Sequence, residues 1–339
     1  MATIDGTALA DALMPALPGR VEVDAPLGSL TTYRVGGTAR VMVRARSESD
    51  LAAVAAAVGE LRPPVLVLGR GSNVLVADEG FPGLVVALEG DFEVIEPPMD
   101  APTGATARGA AHATLRAGGA VALPVLARRA ARDGLTGVEF FVGIPGSVGG
   151  AVRMNAGGHG RETREVLREA RVVDLYGEGL VTDRPVRDLA LGYRSSSLGA
   201  SEIVVSATFA VGPDDPARCE ARVAEIVKWR REHQPGGANA GSVFRNPEGD
   251  SAGRLVDACG LKGLRIGGAE VSPRHANFIQ ADADARAADV LALMVEVRRI
   301  VHAETGLRLE PEVHMVGFEP EALDALTGPS PGPSPGGRR

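Results

Sequence analysis

Two glycine-rich loops carry the plainest chemical message in this chain. GRGSN, Gly69 to Asn73, follows an apolar run, and GIPGSVGG, Gly143 to Gly150, places four glycines in eight positions. Without a Cβ the backbone can approach a ligand closely, so successive N–H groups can be aimed at phosphate oxygens. Either loop alone would ordinarily be a tight turn. Two of them, with YRVGG at Tyr33 to Gly37 as a third, point to two units jointly holding one pyrophosphate. Neither loop is a standard nucleotide fingerprint. GRGSN lacks the third glycine of GxGxxG, and neither Lys228 nor Lys262 has a P-loop context, which disfavours a Rossmann or P-loop enzyme.

Loops of this kind need regular elements on both sides. VMVRA (Val41 to Ala45) alternates as a strand does, and Ser49 is positioned to cap an Ala-rich helix over Asp50 to Leu61 that Pro63 and Pro64 stop. Strands VLVLG (Val65 to Gly69) and LVVAL (Leu84 to Leu88) follow, so the first unit reads as an α/β layer. The second combines a helix over Leu123 to Asp133 with the second glycine loop and the strands RVVDL (Arg171 to Leu175) and IVVSATFAV (Ile203 to Val211). The third opens near Pro213 with a helix carrying Val223, Ile226, Val227 and Trp229. Strand-like runs follow at Ser242 to Phe244 and Ala276 to Gln280, then a helix over Ala285 to Glu304 and a last strand from Leu307 to Val316. The expected organisation is therefore an N-terminal segment, 1–20, and three units at 21–90, 91–212 and 213–320. A Pro/Gly-rich disordered tail completes it at 321–339.

Composition narrows the partners. With 339 residues the chain exceeds one typical domain, and a formal charge of −7 opposes a broad nucleic-acid footprint. A small anionic ligand remains compatible, because local arginines can make a positive pocket. Cys219 and Cys259 are too few for a disulfide framework or a zinc site. No basic-then-apolar leader and no long apolar span is visible, so a cytoplasmic protein without membrane insertion is expected. Nothing calls for an obligate protein partner.

Read in order, YRVGG, LGRGSN, GIPGSVGGAVRMNAGGHG, GYRSS, NAGSVFRNP, AEVSPRHANFI and LEPEVHMVG resemble the UDP-N-acetylenolpyruvoylglucosamine reductase family, from about Leu30 to Phe318. The resemblance implies an α+β, vanillyl-alcohol-oxidase-like (PCMH-type) two-part FAD-binding fold with a third α+β substrate-binding domain. It implies NADPH as reductant, a UDP-sugar as substrate and a role in peptidoglycan precursor synthesis. FAD contacts carry over onto Gly69, Arg70, Gly71, Ser72 and Asn73, and onto Gly143, Ile144, Pro145, Gly146, Ser147, Gly149 and Gly150. No histidine lies in GRGSN, so noncovalent flavin is implied.

The same resemblance gives catalytic roles to Arg194 in GYRSS, Ser242 in NAGSVF and Glu312 in LEPEV. Glu310 has the same strand parity as Glu312, so spacing alone does not choose between them. A planar, permanently charged guanidinium suits a carboxylate that becomes an enolate, and Ser242 would supply the proton. Arg230, Asn246, Arg265, Asn155 and His233 are expected around the substrate. Three positions depart from the family pattern: Arg70 where glycine is common, His159 for tyrosine in NAGGHG, and His233 for lysine. The short interval between Arg194 and Ser242 matches the shorter class, which lacks the mobile tyrosine loop.

Overall fold

Alternation of apolar residues decides the first layer. The computed structural model describes residues 6–100 and 113–328. Strands β1 (Val21–Ala25), β2 (Ala39–Ala45), β3 (Val65–Leu68), β4 (Val74–Val76) and β5 (Phe81–Leu88) belong to this unit. Its sheet runs β1-β2-β5-β3, with β2 antiparallel to β1 and parallel to β5. With a side-chain period of two, Val41, Val43, Leu84 and Val86 bury against helices α1 (Gly6–Leu13) and α2 (Glu48–Val58). Met42 and Val85 bury on the opposite face with Phe81 and Val316. Ser47 caps α2, not Ser49: its hydroxyl accepts from Asp50 N at 3.3 Å while Asp50 accepts from Ser47 N at 3.2 Å. This reciprocal box requires the carboxylate three residues after the cap.

The second unit is an antiparallel sheet of β6 (Ala113–Gly118), β7 (Leu167–Asp174), β8 (Val181–Pro185) and β9 (Glu202–Pro213), in spatial order β8-β7-β9-β6. Helices α3 (Leu123–Arg132) and α4 (Val148–Arg153) pack on it. Val173, Ile203 and Val205 from this sheet join the apolar core of the first unit, so the two share one hydrophobic interface. Helix α5 (Pro216–His233) corrects the expected boundary at 213. Its Cys219 and Val223 bury with Phe141 and Phe209, so the second unit continues to about His233.

The third unit packs α6 (Ala252–Ala258) and α7 (Ala287–Thr305) over the short strands β10 (Ala269–Val271) and β11 (Ile279–Ala281). The strand expected over Leu307 to Val316 is regular only as β12 (His314–Val316). Pro311 has no N–H for a ladder, and Arg298 takes the Leu309 carbonyl. Strand β12 lies parallel to β4, which returns the chain to the first unit. Helix α8 (Pro320–Thr327) corrects the start of the tail: Leu326 is fully buried, and Arg298 donates to the carbonyls of Ala325 and Gly328. The GPSPGPSPGGRR segment lies outside the described residues beyond Gly328. No described helix is long and apolar enough to cross a membrane.

Asp78, in the first unit, accepts from Ala287 N at 2.9 Å and Ala288 N at 3.1 Å, supplying the first turn of α7 with an anion from another layer. Asp78→Ala is expected to cost about 1–2 kcal/mol, the loss of a good helix cap. Urea denaturation should show a lower midpoint at unchanged slope.

Candidate active site

The two glycine loops face each other across a cleft of about 1530 Å³, counting the space open to solvent. One small ligand typically needs roughly 300–1,000 Å³, so this cleft accommodates more than one. Gly69 to Asn73, Gly143 to Ser147 and Gly150 line it, as do Arg194, Arg230, Ser242 and Glu312. A second cavity of about 700 Å³ shares Gly69, Arg70, Ser147, Gly150 and Arg153 with it, and Gly149 lines this narrower space. The two spaces joined at a glycine-lined waist suit an elongated dinucleotide.

At the centre, Arg194 Nε donates to Glu312 Oε1 at 2.6 Å, with both side chains largely buried. The backbone fixes each partner separately. Asn73 Nδ2 donates to the Glu312 carbonyl at 3.1 Å, and His314 N donates back to Asn73 O at 3.0 Å, locking the segment that carries Glu312 to the first glycine loop. Glu312 therefore enters the cleft, whereas Glu310 is exposed and only its carbonyl is engaged, by Arg245 N. Arg194 stands at φ 54°, a left-handed conformation that costs a side-chain-bearing residue about 1–3 kcal/mol. Burial raises the Glu312 carboxyl above its ordinary pKa; the positive charges of Arg194 and Arg245 oppose that rise.

Ser242 lines the same cleft on an extended segment bridged to Phe278. Arg230 donates from Nη1 to Gly143 O at 3.1 Å and from Nε to Gln234 Oε1 at 2.7 Å. Burial lowers its pKa, but an arginine keeps its charge. It offers a cation beside the second glycine loop.

Four residues expected around the substrate do not line this cleft. Asn155 is 0 % exposed and spends its amide on Gly192 O at 2.8 Å and Glu162 at 3.0 Å, so it holds the turn that presents Arg194. Asn246 accepts from Ala252 N at 3.0 Å and orders the approach to α6. Arg265 pairs with Glu270 and Asp282 on the exposed edge of the third unit. His233 stacks on Trp229 and does not line the cleft, so it is not the group that supports Ser242. Among the cleft residues that were missed, Arg153, Met154, Gln234 and His314 have side chains able to contact a ligand's polar or apolar groups. His314 had a readable signal, since it shares the strand parity of Glu312. Arg245, also missed, buries its Nε without a partner among the described residues.

The glycines permit a test of fit to a flavin dinucleotide. At Gly69 an added Cβ would lie 2.5 Å from Ser147 Oγ, so internal packing already requires glycine there. At Gly146 the nearest atom would be Leu123 Cδ1 at 3.5 Å, and at Gly150 it would be Ser147 Oγ at 3.5 Å, both ordinary contacts. Nothing in the protein excludes a side chain at these two positions. A ligand seated against the backbone would.

Fold and cleft together define an FAD-binding oxidoreductase. Residues 39–183 match the FAD binding domain family, and residues 233–316 match the C-terminal domain of UDP-N-acetylenolpyruvoylglucosamine reductase. The chain is 42% identical over 305 residues to UDP-N-acetylenolpyruvoylglucosamine reductase 2 of Symbiobacterium thermophilum, covering 89% of this chain and 94% of that protein. It is 43% identical to the reductase of Acidiphilium cryptum, covering 91% and 94%. The crystal structure of the Thermus caldophilus reductase superposes with a TM-score of 0.72 at 36% identity, covering 88% of this chain and 99% of that one. The chain belongs to the UDP-N-acetylenolpyruvoylglucosamine reductase family.

Gly146→Ala should leave the thermal stability of the cofactor-free protein nearly unchanged, within about 0.5 kcal/mol. It should weaken FAD retention about ten-fold or more through overpacking against the ligand. Flavin release followed by fluorescence checks this, and equal retention by both proteins would reject it.

Proposed function

We propose that this chain is a cytoplasmic enzyme that reduces the enolpyruvyl ether of UDP-N-acetylglucosamine to the lactyl ether in peptidoglycan precursor synthesis, with NADPH as electron source. The observation that carries the reading is the Arg194–Glu312 contact of 2.6 Å inside the cleft that Ser242 and both glycine loops share. FAD would be held noncovalently by the two glycine loops, Gly69 to Asn73 and Gly143 to Gly150, and when bound would supply the two-electron hydride chemistry that links NADPH to C3 of the substrate.

The remaining work falls to side chains. Hydride arrival at C3 pushes charge through C2 into the carboxylate, giving an enolate. Arg194 keeps its Nη groups for that carboxylate while its Nε is held by Glu312, so the cation is aimed before charge develops. Ser242 delivers the proton to C2. Glu312, with a raised pKa, retains its own proton to higher pH than an ordinary glutamate and donates a hydrogen bond to the developing anion. Arg230 receives the diphosphate. NADPH and the UDP-sugar use the cleft in turn, which gives ping-pong kinetics.

The decisive experiment is anaerobic: NADPH should bleach the bound flavin, and UDP-N-acetylglucosamine enolpyruvate should restore its colour. Failure of the second step would refute the reading. Ser242→Ala should leave the first step intact and slow the second by about 10²- to 10⁴-fold, the usual contribution of a positioned proton donor.

Glu312 adds a pH signature. Its donor form is full below the raised pKa and is lost as pH climbs through it, so reoxidation should slow on that limb. Glu312→Gln, which cannot ionise, should be slow overall with the limb flattened. A variant that keeps the native limb would remove Glu312 from the proton inventory.

A further inference from the structure

Three aromatic rings stand together beside the cleft, and the chemistry above uses none of them. Trp229 and His233, four residues apart on α5, stack with centroids 4.6 Å apart and planes inclined by 11°. His233 Nδ1 lies 2.7 Å from Trp229 O, which fixes the imidazole over the indole. His159, from the loop after α4, meets the indole edge-on at 5.0 Å and 83°. Trp229 is 43% exposed, and both histidines are exposed as well.

Two contacts tie this cluster to the binding cleft. Arg230, the next residue on the helix, turns inward, lines the cleft and bonds Gly143 O. His159 also rests against Gly143: a Cβ there would lie 2.9 Å from the imidazole, so the ring sits directly over the backbone of the second glycine loop. A guanidinium thus lies directly inside an exposed aromatic platform. That sequence, a fixed cation and then flat π surface, matches a nucleotide read from its phosphates outward to its base.

We propose that His159, Trp229 and His233 form a stacking subsite for the base of a nucleotide whose diphosphate lies against Arg230. Stacking tolerates any base, because every base has a π face. The inference rests on the functional reading above, in which both substrates are nucleotides; the base belongs either to the UDP-sugar or to NADPH. Desolvation by its neighbours and the charge of Arg230 hold His159 below its ordinary pKa, which favours the uncharged ring. A purely structural role, closing the end of α5, would make the cluster indifferent to ligand.

Trp229 is the only tryptophan in the chain, so protein fluorescence reports on this cluster alone. The FAD-loaded enzyme is titrated with UDP and, separately, with 2′,5′-ADP, with inorganic pyrophosphate as the base-free control. Saturable quenching by UDP alone assigns the subsite to the sugar nucleotide, by 2′,5′-ADP alone to NADPH, and by both to each in turn. Trp229→Leu should raise the KM of the assigned nucleotide about ten-fold, and Trp229→Phe should recover most of it by restoring a ring. Overturning results are equal quenching by pyrophosphate, no quenching by either nucleotide, or unchanged KM for both substrates in the leucine variant. Native enzyme that turns over with a silent Trp229 sinks only the subsite; native enzyme whose flavin the UDP-sugar never reoxidises sinks the functional reading.

Discussion

Three parallel backbone pairs, His314 with Val74, Met315 with Leu75 and Val316 with Val76, join segments 240 residues apart in the chain. Asn73 extends the junction by bonding the Glu312 carbonyl across a separation of 239 residues. Closing a flexible loop of that length costs on the order of 5 kcal/mol in chain entropy. Three short pairs do not offset that alone. Val316 adds burial among Met42, Phe81 and Val85, and the capping of α7 by Asp78 adds a second tie between the same layers. The junction therefore forms as part of the core, and the strand that follows Glu312 is registered against the first glycine loop whenever that core is assembled.

Registration matters because the buried Arg194–Glu312 pair at the centre is costly in isolation. Removing a carboxyl group and a guanidinium from water is repaid only when their geometry is held from outside. Here each partner has its own support: Asn73 on the Glu312 side, and on the other the fully buried Asn155, whose bond to Gly192 O secures the turn before Arg194. The left-handed backbone at Arg194 is sustained by that turn. The residue least visible as a participant thus bears directly on the placement of the most visible one.

Most of the scaffold was legible in the chain because each layer announces itself by pattern: alternation at the end of β2, a continuous apolar run in β5 buried on both faces, and apolar spacing in α7. The ordered motifs identified the family and drew both glycine loops, Arg194, Ser242 and Glu312 to one cleft. Less legible is the outer ring of expected contacts, which does not line the cleft. Asn155, Asn246 and Arg265 have side chains that suit a ligand equally well as a neighbouring carbonyl, amide or carboxylate, and sequence does not show which is within reach. The boundary at 213 failed for a similar reason, since Cys219 and Val223 are apolar positions whose partner could only be found in three dimensions.

The glycines sharpen the same distinction. In the chain Gly69, Gly143 and Gly146 look alike, yet a Cβ would meet different things at each: Ser147 at Gly69, the movable His159 ring at Gly143, and no protein atom closer than 3.5 Å at Gly146. A glycine that packing demands testifies to the fold. One that packing does not demand, facing a cleft, testifies to a ligand. His159 and His233 follow this logic in the opposite direction, because their departure from the family pattern looked like two separate losses. Both rings contact Trp229, one by edge and one by face, so the two changes belong to a single cluster. A position that appears weakened when read alone can be half of a local exchange, and the test is whether the departing residues touch.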